Sequence, residues 1–370
     1  MPLRRETFTV SEDTELSYVT NLTDPTARLL FFLHFWGGSY KMYSPVLDTL
    51  LGGQDDDDED GDDRAAAPHH QVLALDFRGW GRSTGPLSCS SSRSSSSSSS
   101  SPSSHSSDSS APSSSPSSHY YNYSISSLAS DVEALMQHLR LRNVVLVGHS
   151  MGGKVAQVVS GRSCFENKNK STQRQQKQNN DRQRLITKAL VLLAPAPARS
   201  LELPDALRKQ QIHAYETREA AEFVTRNVLL SPGSLRKVEG GQESSSWSSS
   251  WSDEDEDEGA AAVDVVVEAL VNDMLRGSAA ARAAWPAYAM GEDVSAWAEA
   301  IDVPVLVCAG EEDKVEPMAR VRAEVCGVIR GAKLVTIPGA GHLLPIEAPA
   351  RVSSLIVGFL RELDSWTTVK

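Results

Sequence analysis

The sequence predicts an α/β protein: a mainly parallel, eight-stranded sheet with helices on both faces and a helical cap, interrupted by disordered inserts. Three observations carry the prediction. Short apolar runs such as RLLFFL (Arg28–Leu33) have the unbroken hydrophobicity of strands buried on both faces. Segments with apolar residues three and four apart separate those runs. One run, 144–147, ends in Gly148-His149-Ser150-Met151-Gly152 and is followed by a helix-compatible stretch from Lys154 to about Gly161.

Taken in order, residues 6–10 and 16–21 read as two short strands with a polar turn between them, an antiparallel start. Arg28–Leu33 is the first buried strand and runs into the glycine-bearing turn 34–39. Residues 42–51 have helical spacing. Gln71–Leu75 is a second buried strand, ending in the turn-rich segment 76–83. Ile125, Leu128, Val132, Leu135, Met136 and Leu139 line one face of a helix that leads into strand 144–147. Residues 188–193 (KALVLL) form another buried strand. Beyond Ala194 the pattern changes. Pro195 and Pro197 break it, and helical segments follow at 204–230, 263–276 and 279–297 with no strand between them. This predicts a cap, 196–300, on a core made of 1–195 and 301–370. Strand 303–309, helix 317–329, strand Lys333–Ile337 and helix 350–363 complete the core.

Hydrophobic residues make up 40% of the 370, and the deficit is concentrated in four segments, 52–67, 88–118, 163–184 and 239–259. The second holds 23 serines in 31 residues, and the first and last carry acidic runs. Such compositions bury too little apolar surface to offset their ordering entropy, so all four are expected to be disordered inserts. Without them 280 residues remain, enough for one sizeable core. The serine tract follows a strand end and is expected near the site rim. The segments 52–67 and 163–184 join helix to strand and belong on the far face.

The net charge of −12 comes from the acidic runs: eight carboxylates lie in 55–63 and six in 253–258, without which the balance is +2. No basic stripe interleaved with aromatics is present, so nucleic-acid binding is not expected. The four cysteines, Cys89, Cys164, Cys308 and Cys326, are scattered, which predicts neither a disulfide nor a metal site. The opening residues lack an apolar signal core, and no apolar run approaches the length of a membrane span, so a cytoplasmic protein is expected. Oligomeric state is not readable.

The chemistry starts at Ser150. A serine nucleophile must stand clear of the sheet at a sharp strand-to-helix turn, and Gly148 and Gly152 remove the Cβ atoms that would obstruct one. The helix that begins there aims free N–H groups and its positive dipole end at the site. Serine needs a base, and the base an orienting group. His69, His70, His105 and His119 lie in or beside the inserts, His138 is on the amphipathic helix and His213 in the cap. His149 adjoins the serine and is expected to point away from it. His342 directly follows a strand, in the flexible Pro338-Gly339-Ala340-Gly341-His342, and is the candidate base. The acidic turn after strand 303–309 offers Asp313 as the orienting group, with Glu312 as the neighbour that could replace it.

The order Ser150, Asp313, His342 is similar to that of the α/β-hydrolase triad. With it, FFLHFWGGS (31–39), LDFRGWGRS (75–83), VLVGHSMGG (145–153), VLVCAGEEDKVEP (305–317) and GAGHLLPIEAP (339–349) make the chain resemble the α/β-hydrolase superfamily, in its esterase and non-haem haloperoxidase-like branch. The resemblance implies an oxyanion hole built from the backbone N–H groups of Met151 and Trp36, and no cofactor or metal. It departs at Phe35, where the family usually has glycine, and Phe35 and Trp36 narrow the acyl pocket on this reading. Asp76 and Arg78 resemble residues that brace loops beside the site. Tyr40, Trp285 and Tyr288 are either pocket lining or packing.

The expected function is hydrolysis of carboxylic esters or similar small acyl compounds through an acyl-enzyme. Serine at 150 argues against epoxide hydrolysis and haloalkane dehalogenation, which use aspartate there in this fold. Cofactor-free perhydrolysis differs only in the second nucleophile, and a non-catalytic ligand sensor on the same fold would show an unreactive Ser150.

Overall fold

The computed structural model describes residues 2–52, 70–86, 121–172, 187–234 and 262–368. Its sheet has eight strands: β1 (Arg4–Ser11), β2 (Thr14–Thr20), β3 (Arg28–Leu33), β4 (Gln71–Leu75), β5 (Asn143–His149), β6 (Thr187–Leu193), β7 (Val305–Gly310) and β8 (Lys333–Ile337). Their order is β1-β2-β4-β3-β5-β6-β7-β8. β2 runs antiparallel to β1 and β4, and every other pair is parallel. Leu29 to Leu33 are all buried, as are Val144 to Val147. Consecutive buried positions place both faces of the sheet under cover, because adjacent side chains point to opposite faces.

The covering helices are α1 (Ser44–Gly52), α2 (Ile125–His138), α3 (Met151–Thr172), α4 (Asp205–Ile212), α5 (Arg218–Val224), α6 (Ala262–Arg276), α7 (Ala279–Ala287), α8 (Ser295–Ala300), α9 (Met318–Arg320), α10 (Leu344–Glu347) and α11 (Pro349–Thr368). α3 packs against α2 and α8, and α1 packs against α11. The apolar positions read from the sequence are the buried face of α2, and Ser124 caps that helix by accepting from the Ser127 amide at 3.0 Å. Gly161 lets α3 approach α8 closely, since a Cβ there would lie 2.1 Å from the Trp297 carbonyl oxygen.

The elements match the expected fold class, with local differences. β7 starts at Val305 instead of residue 303, because Pro304 has no N–H to offer a ladder. The helix expected at 204–230 is broken by the turn at 213–216, and that expected at 279–297 ends after Pro286 and restarts at Ser295. No strand lies between β6 and β7 among the described residues.

The insert expected to begin at Ser163 needs correction. α3 continues to Thr172, with Ser163 and Cys164 buried. Ser163 Oγ accepts from the Thr187 amide at 3.4 Å, and the Phe165 ring meets Trp297 edge-on at 6.0 Å. These contacts hold a stretch that composition alone reads as polar. Residues 173–184 and the expected inserts at 53–67, 88–118 and 239–259 lie outside the described residues.

Candidate active site

Ser150 stands between β5 and α3 at φ +51°, a left-handed conformation that a non-glycine residue adopts at a cost of about 1–3 kcal/mol. The surrounding backbone holds it there. Its N–H donates to the Leu193 carbonyl at 3.0 Å, and its carbonyl accepts from the amides of Lys154 and Ala196, both at 3.1 Å. Gly148 and Gly152 are obligatory: a Cβ on Gly148 would lie 2.5 Å from the Gly152 carbonyl oxygen, and one on Gly152 would lie 2.2 Å from that of Leu33. Met151 is the first residue of α3, so its amide is among the four with no acceptor inside the helix.

The turn after β3 packs directly against that helix start. Gly38 N–H donates to the Phe35 carbonyl at 3.1 Å. His34 is fully buried: Nδ1 donates to the Phe35 carbonyl at 2.7 Å, and Nε2 accepts from the Phe77 amide at 3.0 Å. Burial pushes its pKa down to about 4, so it is a neutral brace between the ends of β3 and β4. Trp36 is tied to the cap. Its Nε1 donates to the Arg282 carbonyl at 2.9 Å, and its own carbonyl accepts from the Tyr215 hydroxyl at 3.3 Å. The two candidate oxyanion donors, the amides of Met151 and Trp36, thus belong to loops in backbone contact.

On the other side of Ser150, the loops after β7 and β8 meet. His342 Nδ1 donates to Asp313 Oδ2 at 2.9 Å. Asp313 Oδ1 accepts from the amides of Val315 and Glu316 at 2.8 and 2.9 Å. Burial raises the Asp313 pKa, but the His342 charge, their hydrogen bond and the two amides outweigh it, and the net value falls below the ordinary one. Burial lowers that of His342, while the charge and hydrogen bond of Asp313 raise it further, for a net rise. With Nδ1 committed to the carboxylate, Nε2 is the nitrogen left for acid–base work. Glu312, the alternative, is exposed.

Two site residues have roles that the sequence reading did not assign. Glu347 organises the His342 loop: its carboxylate accepts from the amides of Gly341, Leu343 and Ser231, each at 2.9 Å, and from the Ser234 hydroxyl at 2.8 Å. The only sequence signal was an acidic residue inside an otherwise apolar, proline-flanked loop. His149, expected to point away from Ser150, packs beside His342 and does not line the cavity. Its ring centre lies 5.1 Å from that of His342, and its Nε2 donates to the His342 carbonyl at 2.7 Å. Burial, reinforced by the His342 charge, lowers its pKa to about 3, so it acts as a neutral prop.

Ser150 and His342 border one cavity of about 570 Å³. Phe35 and Trp36 form part of its wall, and the cap contributes Leu203, Leu207, Tyr215, Phe223 and Trp285. Tyr40 instead accepts from Arg5 at 3.0 Å, and Tyr288 packs on Tyr121. Asp76 accepts from the amides of Tyr40 and Arg82 at 2.7 and 3.0 Å, while Arg78 pairs with Asp131, so both brace loops. His138 packs on Phe8, and His213 pairs with Glu216 at the surface. His69, His105 and His119 lie outside the described residues. No group of three or more His, Cys, Asp or Glu among the described residues could hold a metal ion, and no helix among them is long and apolar enough to cross a membrane.

A mainly parallel sheet whose strand-end loops bring a serine and a histidine to one cavity, with a carboxylate bonded to the histidine, is the layout of a hydrolase. The profile of the alpha/beta hydrolase family matches residues 30–355, and the chain belongs to that family. The sequence matches no curated protein significantly. Among solved structures, an enol-lactonase from Burkholderia xenovorans is similar at TM-score 0.62 and 17% identity, covering 97% of this chain and 100% of that one. A thermophilic esterase from Thermogutta terrifontis is similar at TM-score 0.60 and 20% identity, covering 97% and 98%. A bromoperoxidase from Bacillus anthracis is similar at TM-score 0.63 and 14% identity, covering 97% and 100%. At these identities the likeness is one of fold.

Proposed function

We propose that the protein is a serine hydrolase acting on carboxylic esters or similar small acyl compounds. The observation that carries this reading is the buried His342–Asp313 pair, joined at 2.9 Å, on the same cavity as a serine held at a strained turn. His342 Nε2 takes the Ser150 proton as Oγ attacks the acyl carbon, and returns it to the departing alcohol. Water then enters and gives its proton to the same nitrogen as its oxygen attacks the acyl carbon; the acyl–Oγ bond breaks, the proton returns to Ser150 and the acid leaves. Asp313 fixes the tautomer and stabilises the imidazolium. The amides of Met151 and Trp36 face the developing oxyanion, each worth about 3 kcal/mol in such a role.

The test is hydrolysis of p-nitrophenyl esters of increasing chain length by wild type and Ser150→Ala, alongside labelling by a fluorophosphonate probe. The variant is expected to lose kcat by a factor on the order of a million and to lose labelling. Folded wild type that neither turns over any ester nor takes the label would overturn the reading.

A further inference from the structure

We infer that Glu316 determines specificity in the proposed reaction, selecting esters that carry a hydrogen-bond donor, a hydroxyl or an ammonium group, over plain alkyl esters. The inference rests on the serine-hydrolase reading and names its substrate class.

Most of the cavity wall supplied by the cap is apolar, yet Glu316 borders it from the core side and is only 3% exposed. Its backbone N–H is spent on Asp313 Oδ1. Its carboxylate is less well supplied. Oε2 accepts no hydrogen bond among the described residues, and the nearest cation, Arg320 Nη1, stands 3.3 Å away without hydrogen-bond alignment. Arg320 is also shared with Glu324, at 3.5 Å. A second cavity residue repeats the pattern from the cap side: Oε1 of Gln211 is buried and accepts no hydrogen bond among the described residues.

Several donors of the same wall are engaged elsewhere. Lys314 Nζ donates to the Asn227 carbonyl, Tyr215 to the Trp36 carbonyl, and Trp36 Nε1 to the Arg282 carbonyl. Two acceptor oxygens of cavity residues are thus left without a hydrogen-bond donor among the described residues. Buried acceptors are satisfied in nearly all proteins, and a carboxylate short of donors is a strong demand for one. A substrate that brings an O–H or N–H group meets it, and an alkyl chain leaves it unmet. Burial also raises the Glu316 carboxyl to about 7, more than the charges of Arg320 and His342 pull it down. That is the behaviour of an acid whose ionised form lacks solvation, and a donated hydrogen bond supplies it.

The experiment compares methyl esters of unsubstituted, ω-hydroxy and ω-amino acids of matched length, together with acetates of the corresponding alkanols, diols and amino-alcohols, followed by acid release. Wild type is expected to favour at least one donor-bearing series over its alkyl counterpart about tenfold in kcat/KM. Glu316→Gln, which keeps shape and removes charge, is expected to lose the ammonium preference. Glu316→Leu is expected to lose both preferences, and Gln211→Leu to weaken them. Fluorophosphonate labelling of Ser150 checks that each variant retains an assembled site. Equal preference ratios in wild type and both Glu316 variants, or a wild-type preference for the alkyl esters throughout, would overturn the assignment while leaving the hydrolase reading intact. No turnover and no labelling of wild type would remove both.

Discussion

Lys154 gives a stability prediction that is independent of the reaction. It lies one turn into α3 from Ser150, is 1% exposed, and donates from Nζ to the carbonyls of Arg199 and Met290 at 3.2 and 3.1 Å. Both acceptors belong to the segment between β6 and β7, so this ammonium joins the candidate nucleophile's helix to that segment. Burial lowers its pKa from 10.5 to about 8, against the opposing charges of Glu292, Asp293 and Glu316. A fall of that size is a penalty of about 3 kcal/mol on the charged form in the folded protein. Below pH 8 both folded and unfolded chains hold the proton, and the penalty is felt in full. Between pH 8 and 10.5 the folded chain has released a proton that the unfolded chain still binds, so stability rises with pH. Integrated from pH 7 to pH 10, the gain from this one group is about 2–3 kcal/mol. The assay is urea unfolding of wild type and Lys154→Met at both pH values. Comparing the two proteins at each pH cancels the other titrating groups. It also separates the pH effect from the fixed consequence of leaving two carbonyls without a donor. Wild type is expected to gain about 2–3 kcal/mol on the variant between pH 7 and pH 10. A wild-type-to-variant difference that does not change between the two pH values would refute the reasoning.

Three further perturbations follow from the site. On the proposed mechanism, Asp313→Asn is expected to cut kcat about ten-thousandfold by permitting the wrong imidazole tautomer. Because the Asp313 charge holds His342 above the ordinary histidine range, and the base works only when neutral, the acid limb of kcat/KM against pH is expected to move to lower pH in that variant. Gly152→Ala would place a methyl 2.2 Å from the Leu33 carbonyl oxygen and 2.6 Å from that of His34. It is expected to lose about 1–3 kcal/mol of stability in thermal unfolding, with slower fluorophosphonate labelling as the two oxyanion loops are pushed apart. Glu347→Gln exchanges a carboxylate that accepts four hydrogen bonds for a group with one acceptor oxygen. It is expected to cost about 2 kcal/mol in urea unfolding and to lower kcat more than it raises KM, because the His342 loop loosens while the cavity wall persists.

The parts of this protein legible in its sequence are those written by local rules. Continuous apolar runs mark the central strands β3 to β7, which are buried on both faces, while β1, β2 and β8 toward the sheet edges follow from short strand-like segments between turns. Ser150 is legible because the turn it occupies admits only glycine at 148 and 152. His342 and Asp313 are legible because strand ends in a parallel sheet converge on one edge. What was not legible acts across chain distance or breaks a local rule. Glu347 works by folding back on amides of its own loop and on Ser231, which no periodicity encodes. Glu316 reads as one more acid in a solvated turn, since nothing local says that its side chain is covered. His149 has a role that the sequence reading did not assign, because its contacts are with the distant His342.

Phe35 shows how a departure from the family pattern is accommodated. A bulky ring at this turn needs space that a glycine there would not. That space lies beside Gly38, where a Cβ would come within 2.6 Å of Phe35 Cε1. The other side of the ring meets His149 edge-on at 5.5 Å, and His149 in turn supports the His342 carbonyl. The aromatic residue is therefore part of a continuous chain of ring contacts, Phe35 to His149 to His342, whose two ends border the cavity. Replacing Phe35 with glycine would enlarge the cavity but would also leave the buried His149 ring without its apolar neighbour. The unusual residue and its compensation have to be read together, because neither Phe35 nor Gly38 has a structural reason without the other.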